Sequence, residues 1–434
     1  MKPLTCGHVA VAGASRTCRH LFESPSAESV SFFRLLLGDG MRWELRCPIC
    51  VDDAAEVFEV CEGCVSRAEE DGEFLGWRGE PGIGERPEPV DPTIATSVLP
   101  DELGSVMDIA PVATQPGVWL VLDREGAIVR WDTQSGLTSP QAVSEVPDES
   151  AREPWMNHRA GTRLHSSADG RFAAVVNDFG RHGSVIDLTT AKTTMVLDGG
   201  GYHEETVPFS VAFAEHRGRT VVIHRTAWNR LDVSDPATGE LLTARVTSTS
   251  ERDGLPPEHH LDYFHGAISV SPNQRRIADD GWVWSPVGVP VVWSLERWLG
   301  ADVWESEDGP SRCRLTQRWY RWNNPWCWLD DDYIVIGGIG DDDEAMLDGV
   351  EIYQAETGTR TGMFAGPQGQ LFADARRLYS ASPGGLEVWD PDTGQRTATI
   401  AGFVPTHHHV GSGELAVLDD RTLRRWRTSS RGAA

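Results

Sequence analysis

From residue 93 onward the chain repeats one short unit: a strand, an Asp/Gly turn, a second strand, and an aromatic–acid ending that runs into a Thr/Ser–Gly turn. The clearest copies are residues 118–136 (VWLVLDREGAIVRWDTQSG) and 378–394 (LYSASPGGLEVWDPDTG). Related endings occur at 231–239 (LDVSDPATG) and 352–358 (IYQAETG). A second recurring piece is a small polar turn ahead of a strand, Ser167-Ala-Asp-Gly-Arg171 and Ser271-Pro-Asn-Gln-Arg275. Such turns suit a hairpin between the inner strands of a sheet. Short strands at this spacing fold by stacking copies of one unit around a shared core. Length agrees, because 434 residues exceed an ordinary single core unless the architecture is large and closed.

Over residues 93–428 the pattern resembles WD40-like propellers, on Trp131-Asp132, Trp389-Asp390 and the two Ser-x-Asp/Asn-x-Arg turns. The Gly-His element that opens a standard repeat is missing, and the strand logic is shared by quinoprotein-like and lactonase-like propellers. The resemblance implies an all-β fold. Counting units gives about seven blades, at 103–141, 157–200, 205–246, 259–300, 319–365, 366–402 and 403–428. Six or eight also fit, since the fourth and fifth units are irregular. The last unit has three strands, and the β-prone stretch 93–99 is expected to supply its outer strand and close the ring, which removes free sheet edges. Trp131, Trp293, Trp389 and Trp426 fall at strand positions and are expected between blades. The run 318–328 (RWYRWNNPWCW) has two readings. It is either a loop folded over the core or a binding patch of Trp319, Trp322, Trp326 and Trp328, because Trp and Arg dominate interface hot spots.

Six of the eight cysteines lie within the first 64 residues. The N-terminus lacks the apolar stretch of an export signal, so a cytoplasmic protein with reduced, metal-binding thiols is expected. Cys47-Pro-Ile-Cys50 and Cys61-Glu-Gly-Cys64, ten residues apart, suit one tetrahedral zinc. Residues 41–46 and 56–60 read as strands of a hairpin around the first pair, and 65–71 as a helix after the second. This order resembles a treble-clef zinc finger over some 30 residues. Upstream, Cys6, His8, Cys18 and His20 form a weaker second set, which a hairpin at Gly13 would gather. The two sets could also interleave. Residues 29–37 read as an apolar helix or strand packed on this α+β zinc-binding module, residues 1–77. A Pro/Gly/Glu-rich linker, residues 78–92, separates it from the propeller.

A net charge of −26 opposes a nucleic-acid role, which needs a basic footprint. The apolar runs are too short to span a membrane. No G-x-S-x-G elbow or P-loop occurs. His407-His408-His409 alternate faces on a strand, and the acidic runs 330–332 and 341–344 lack the ligand spacing of a calcium loop. The expected function is a non-catalytic protein-interaction scaffold; the alternative is a propeller hydrolase or lyase with its site in the central channel. Because the linker separates two cores, Cys47→Ser or Cys61→Ser is expected to unfold the N-terminal module and spare the propeller. Limited proteolysis tests this: a stable C-terminal fragment beginning near residues 78–92 is expected, and joint unfolding of both parts contradicts it.

Overall fold

The computed structural model describes residues 15–18, 21, 31–36, 43–48, 50, 57–60, 74–78, 93–149, 158, 160–245 and 258–428. Beyond residue 93 the strands pair into seven antiparallel sheets in chain order, and these are the blades of a propeller. Blades one to six occupy residues 106–143, 161–198, 211–234, 264–319, 326–365 and 370–401. Blade seven joins 407–427 to the early strand Ala95–Val98.

A blade is buried on both faces, so its middle strands read as continuous apolar runs rather than alternating ones. Phe172–Asp178 is buried along its whole length. Ala173 and Val175 pack toward blade one, while Ala174 and Val176 pack toward blade three. The period of two in a strand requires that division. All seven seams between blades carry such an apolar cluster. Trp131 fills the seam between blades seven and one, Trp293 that between three and four, and Trp389 that between five and six. Trp426 packs edge-on against Tyr379 between six and seven. These four tryptophans lie where the strand pattern puts them. Trp119 and Trp298 are equally buried and carry no such sequence signal.

The repeated endings are one local device. Gly136 and Gly394 N–H donate to Asp132 O and Asp390 O at 2.8 Å, and Gly239 and Gly358 repeat the bond in their blades. The aspartate side chains accept from the backbone two residues on. These glycines have φ near +70°, a conformation that a Cβ disfavours. The Ser167 and Ser271 hydroxyls likewise staple the inner hairpins, accepting from Phe172 N–H and Arg276 N–H.

Two blades depart from the expected boundaries. Blade three has three strands, and its outer edge is reduced to the bridge Ser234–Leu241. In blade four the chain leaves Val291–Ser294 through the helix Leu295–Gly300, which Ser294 caps, and returns as outer strands Cys313–Arg314 and Arg318–Trp319. Residue 319 therefore ends blade four and does not open blade five. The helical insertion hides the pairing, because nothing local links strands so far apart in sequence.

The described N-terminal strands are Ser15–Cys18, Phe32–Leu36, Trp43–Arg46, Val57–Val60 and Phe74–Arg78, one sheet in the order fourth, first, third, second, fifth. Residues 32–36 are thus strand rather than helix. Trp43–Arg46 and Val57–Val60 are not the hairpin expected around the first cysteine pair. Ser15–Cys18 lies between them, parallel to one and antiparallel to the other. The helix expected at 65–71 lies outside the described residues. Among the described residues no helix is long and apolar enough to cross a membrane.

Ring closure is as the pattern implied. Thr422 pairs with Val98 and Arg425 with Ala95. Arg421 clamps the junction, its guanidinium donating to the carbonyls of Leu99, Pro100 and Leu103. Arg421→Ala is expected to cost about 1–3 kcal/mol, read as a lower urea midpoint; an unchanged midpoint would show that the clamp contributes nothing to closure.

Candidate interaction face

In an antiparallel blade, the turn joining the second and third strands and the connection entering the first strand share one end. At that end of blades two to five the connections carry aromatic rings. The connection 199–210 opens on three glycines; a Cβ at Gly199 would lie 2.5 Å from Arg225 Nε, and Gly200 has φ +78°. This tight path delivers Tyr202 and His203. The Tyr202 ring lies 5.3 Å from Trp228 and 5.7 Å from Phe264. Phe264 stacks on Trp282 at 4.2 Å, and Trp282 on Trp322 at 4.9 Å. Trp284 completes the layer, 5.1 Å from His203 and 5.3 Å from Trp282. Thr206 fastens it from beneath: its hydroxyl accepts from the Trp282 indole, and its carbonyl from Trp322 and Asn323.

The structure divides the tryptophan run. Trp326–Trp328 is the inner strand of blade five, and Trp328 is only 8% exposed in the seam with blade four. Trp326 also packs against that seam, so neither belongs to a patch. Trp322 is half-buried within the aromatic layer. Trp319 and Tyr320 remain outside, 48% and 65% exposed, beside the 284–286 turn: Trp319 pairs with Val287, and Tyr320 N–H donates to Pro286 O. Tyr202 at 49% and Trp284 at 55% are the other open rings. Arg318 splits the run by its burial. It donates to Asn324, to the carbonyls of Gly337 and Gly338, and to Glu351, tying blade four to blade five. Tyr202, His203 and Trp284 were not singled out in the sequence; the available signals were the triple glycine and the Trp-x-Trp spacing at 282–284.

The rim is acidic. Glu204 and Glu205 follow His203, and Asp341, Asp342, Asp343 and Glu344 adjoin Trp319, whose N–H donates to Asp341 O. Arg34 of the N-terminal sheet binds both Asp341 oxygens at 2.9 Å. Burial opposes ionisation of Asp341, but the Arg34 bonds and charge hold its carboxyl below the usual range.

Two inner-strand groups, Asp108 and His407, join neighbouring blades. Asp108 accepts from Leu164 N–H at 2.8 Å and meets His407 Nε2 at 3.2 Å, while His407 Nδ1 meets the Thr406 hydroxyl. His407 and His409 face Trp119, and His408 faces Phe372, as alternation requires. At the opposite end a cleft of about 580 Å³ lies between blades two and three. Three of its polar side chains are committed within the fold: Arg171 to Asp187, Asp169 to Ser167, and Glu215 to Thr220.

Of the proposed zinc ligands, Cys47 and Cys50 are described. Both are buried on one turn, where Cys50 N–H donates to Cys47 O. Arg46 braces this turn through Cys50 O and Glu44. Cys61, Cys64, Cys6, His8, His20 and the Cys18 side chain lie outside the described residues. Among the described residues no group of three or more His, Cys, Asp or Glu side chains is placed to hold a metal.

No family model and no curated protein matches this sequence. Among 1259 matching chains of solved structures is one from "Crystal Structure of Mitotic Checkpoint Complex". It is 12% identical with a TM-score of 0.47, covering 81% of this chain and 96% of its own length. The blade count rests on the strand pairing itself.

Two half-buried histidines give a pH signature. Burial pushes His165 down to about 4, helped by the Arg163 charge, and burial likewise pushes His408 to about 4. Their folded pKa values lie below the usual 6.5, so their contribution is full above 6.5 and is lost as pH falls toward 4. The urea midpoint is therefore expected to drop between pH 7 and pH 4.5, and to drop less in His408→Phe. Identical pH profiles for the two proteins would contradict the assignment.

Proposed function

We propose that this protein is a non-catalytic docking scaffold whose propeller holds an aromatic recognition face rigid. The observation that carries this reading is the set of four open rings, Tyr202, Trp284, Trp319 and Tyr320, on connections at one end of adjoining blades. Exposed large aromatics backed by a packed layer are what interface anchors require, since they lose little side-chain entropy on binding. Asp108 and His407 on the inner strands, and Arg171, Asp169 and Glu215 in the opposite cleft, are engaged within the fold, which favours docking over turnover.

The N-terminal module is proposed to fold on zinc held by Cys47, Cys50, Cys61 and Cys64. The two described cysteines fit, being buried and on one turn. Four thiolates close the shell, so such a metal is structural rather than catalytic. A second zinc on Cys6, His8, Cys18 and His20 is the weaker extension.

The test is a quantified pull-down from host lysate with wild type and a Tyr202→Ala/Trp284→Ala variant. A stoichiometric partner retained by wild type is expected to weaken at least roughly tenfold in the variant, the scale of a hot-spot loss. Melting should fall by only a few degrees, because about half of each ring is already exposed. Equal retention by a folded variant would remove this face from the reading.

A further inference from the structure

We infer that the aromatic face recognises a cationic, arginine-bearing peptide segment. This rests on the docking reading above and adds the chemistry of the partner. Guanidinium groups are drawn to the faces of Trp and Tyr rings and stack flat on them. This chain uses the same contact inside its own fold: Arg245 lies 5.2 Å over Trp304, and Arg396 lies 5.5 Å over Trp389. Among the described residues, no arginine of the chain covers Tyr202, Trp284, Trp319 or Tyr320.

The rim selects the same chemistry. Carboxylates flank the rings on both sides, Glu204 and Glu205 next to Tyr202, and the 341–344 run next to Trp319. Asp341, Asp343 and Glu205 already meet Arg34, Arg321 and His203, but among the described residues Glu204, Asp342 and Glu344 have no ion-pair partner. A neutral apolar partner would desolvate those three charges without pairing them, which is costly. A second copy of this chain would bring a net charge of −26 against the same acids. A cationic segment satisfies both rings and rim. The rim already holds two guanidiniums, that of Arg321 on Asp343 at 2.7 Å and that of Arg34 in a two-point bond to Asp341. That geometry distinguishes arginine from lysine, whose ammonium is a point charge.

The experiment titrates the full chain with octa-arginine, octa-lysine and a neutral Gly/Ser octapeptide, following tryptophan fluorescence and calorimetry at about 150 mM salt, where diffuse surface attraction is screened. Octa-arginine is expected to bind several-fold tighter than octa-lysine, and the Gly/Ser peptide not at all. Tyr202→Ala/Trp284→Ala should weaken octa-arginine binding roughly tenfold. Asp392→Asn, in a turn at the opposite end, should leave it unchanged. Equal binding of octa-arginine by wild type and ring variant, equal affinity for the two cationic peptides, or no binding would each overturn the inference. If the ring variant loses its lysate partner while wild type ignores octa-arginine, docking stands and the cationic chemistry falls. If neither ligand depends on the rings, both fall.

Discussion

The pairing of Ala95–Val98 with Thr422–Arg427 is the contact on which the rest of the structure depends. It joins the two ends of the propeller, more than 300 residues apart, into one sheet, and only then does each blade have a neighbour on both faces. Without it, the seam formed by Trp119, Trp131, Ala416 and Leu423 would lose its closing constraint. Closure also removes the open sheet edge that a linear array would present to other chains.

Closure fixes two ends with different work to do. At one end the Asp-to-Gly turns are short and satisfied by their own side chains, as at Asp132–Gly136 and Asp390–Gly394. At the other, longer connections carry the aromatic layer. That layer is immobilised by groups with no freedom left. Arg318 is buried with four acceptors, and Thr206 takes three hydrogen bonds from rings and an amide. Rings held this way present area at little entropic cost.

The N-terminal sheet is joined to this end through Arg34. Its strand Phe32–Leu36 pairs with Trp43–Arg46, which runs directly into Cys47 and Cys50. The cysteine turn and the rim of the aromatic face are therefore linked through one pair of strands and one ion pair.

Much of the fold was legible because its rules are local. Alternation, Asp/Gly turns and strand spacing act over a few residues, so the blades, the closing strand and the seam positions of Trp131, Trp293, Trp389 and Trp426 could be read directly. The candidate face was only partly legible. Trp319 stands open as one reading of the run allowed, but Trp326 and Trp328 went into a seam, because the run changes role where Arg318–Trp319 ends one blade and Trp326–Trp328 begins the next. Residues 15–18 slip between two strands that sequence order suggests should pair. The sequence by itself determined the unit, its repetition and its closure, since short-range backbone and burial preferences set them. Tertiary structure alone decided that Tyr202, Trp284 and Trp319, from three separate connections, share one end beside an acidic rim, because that proximity comes from the circular order of the blades and not from any spacing along the chain.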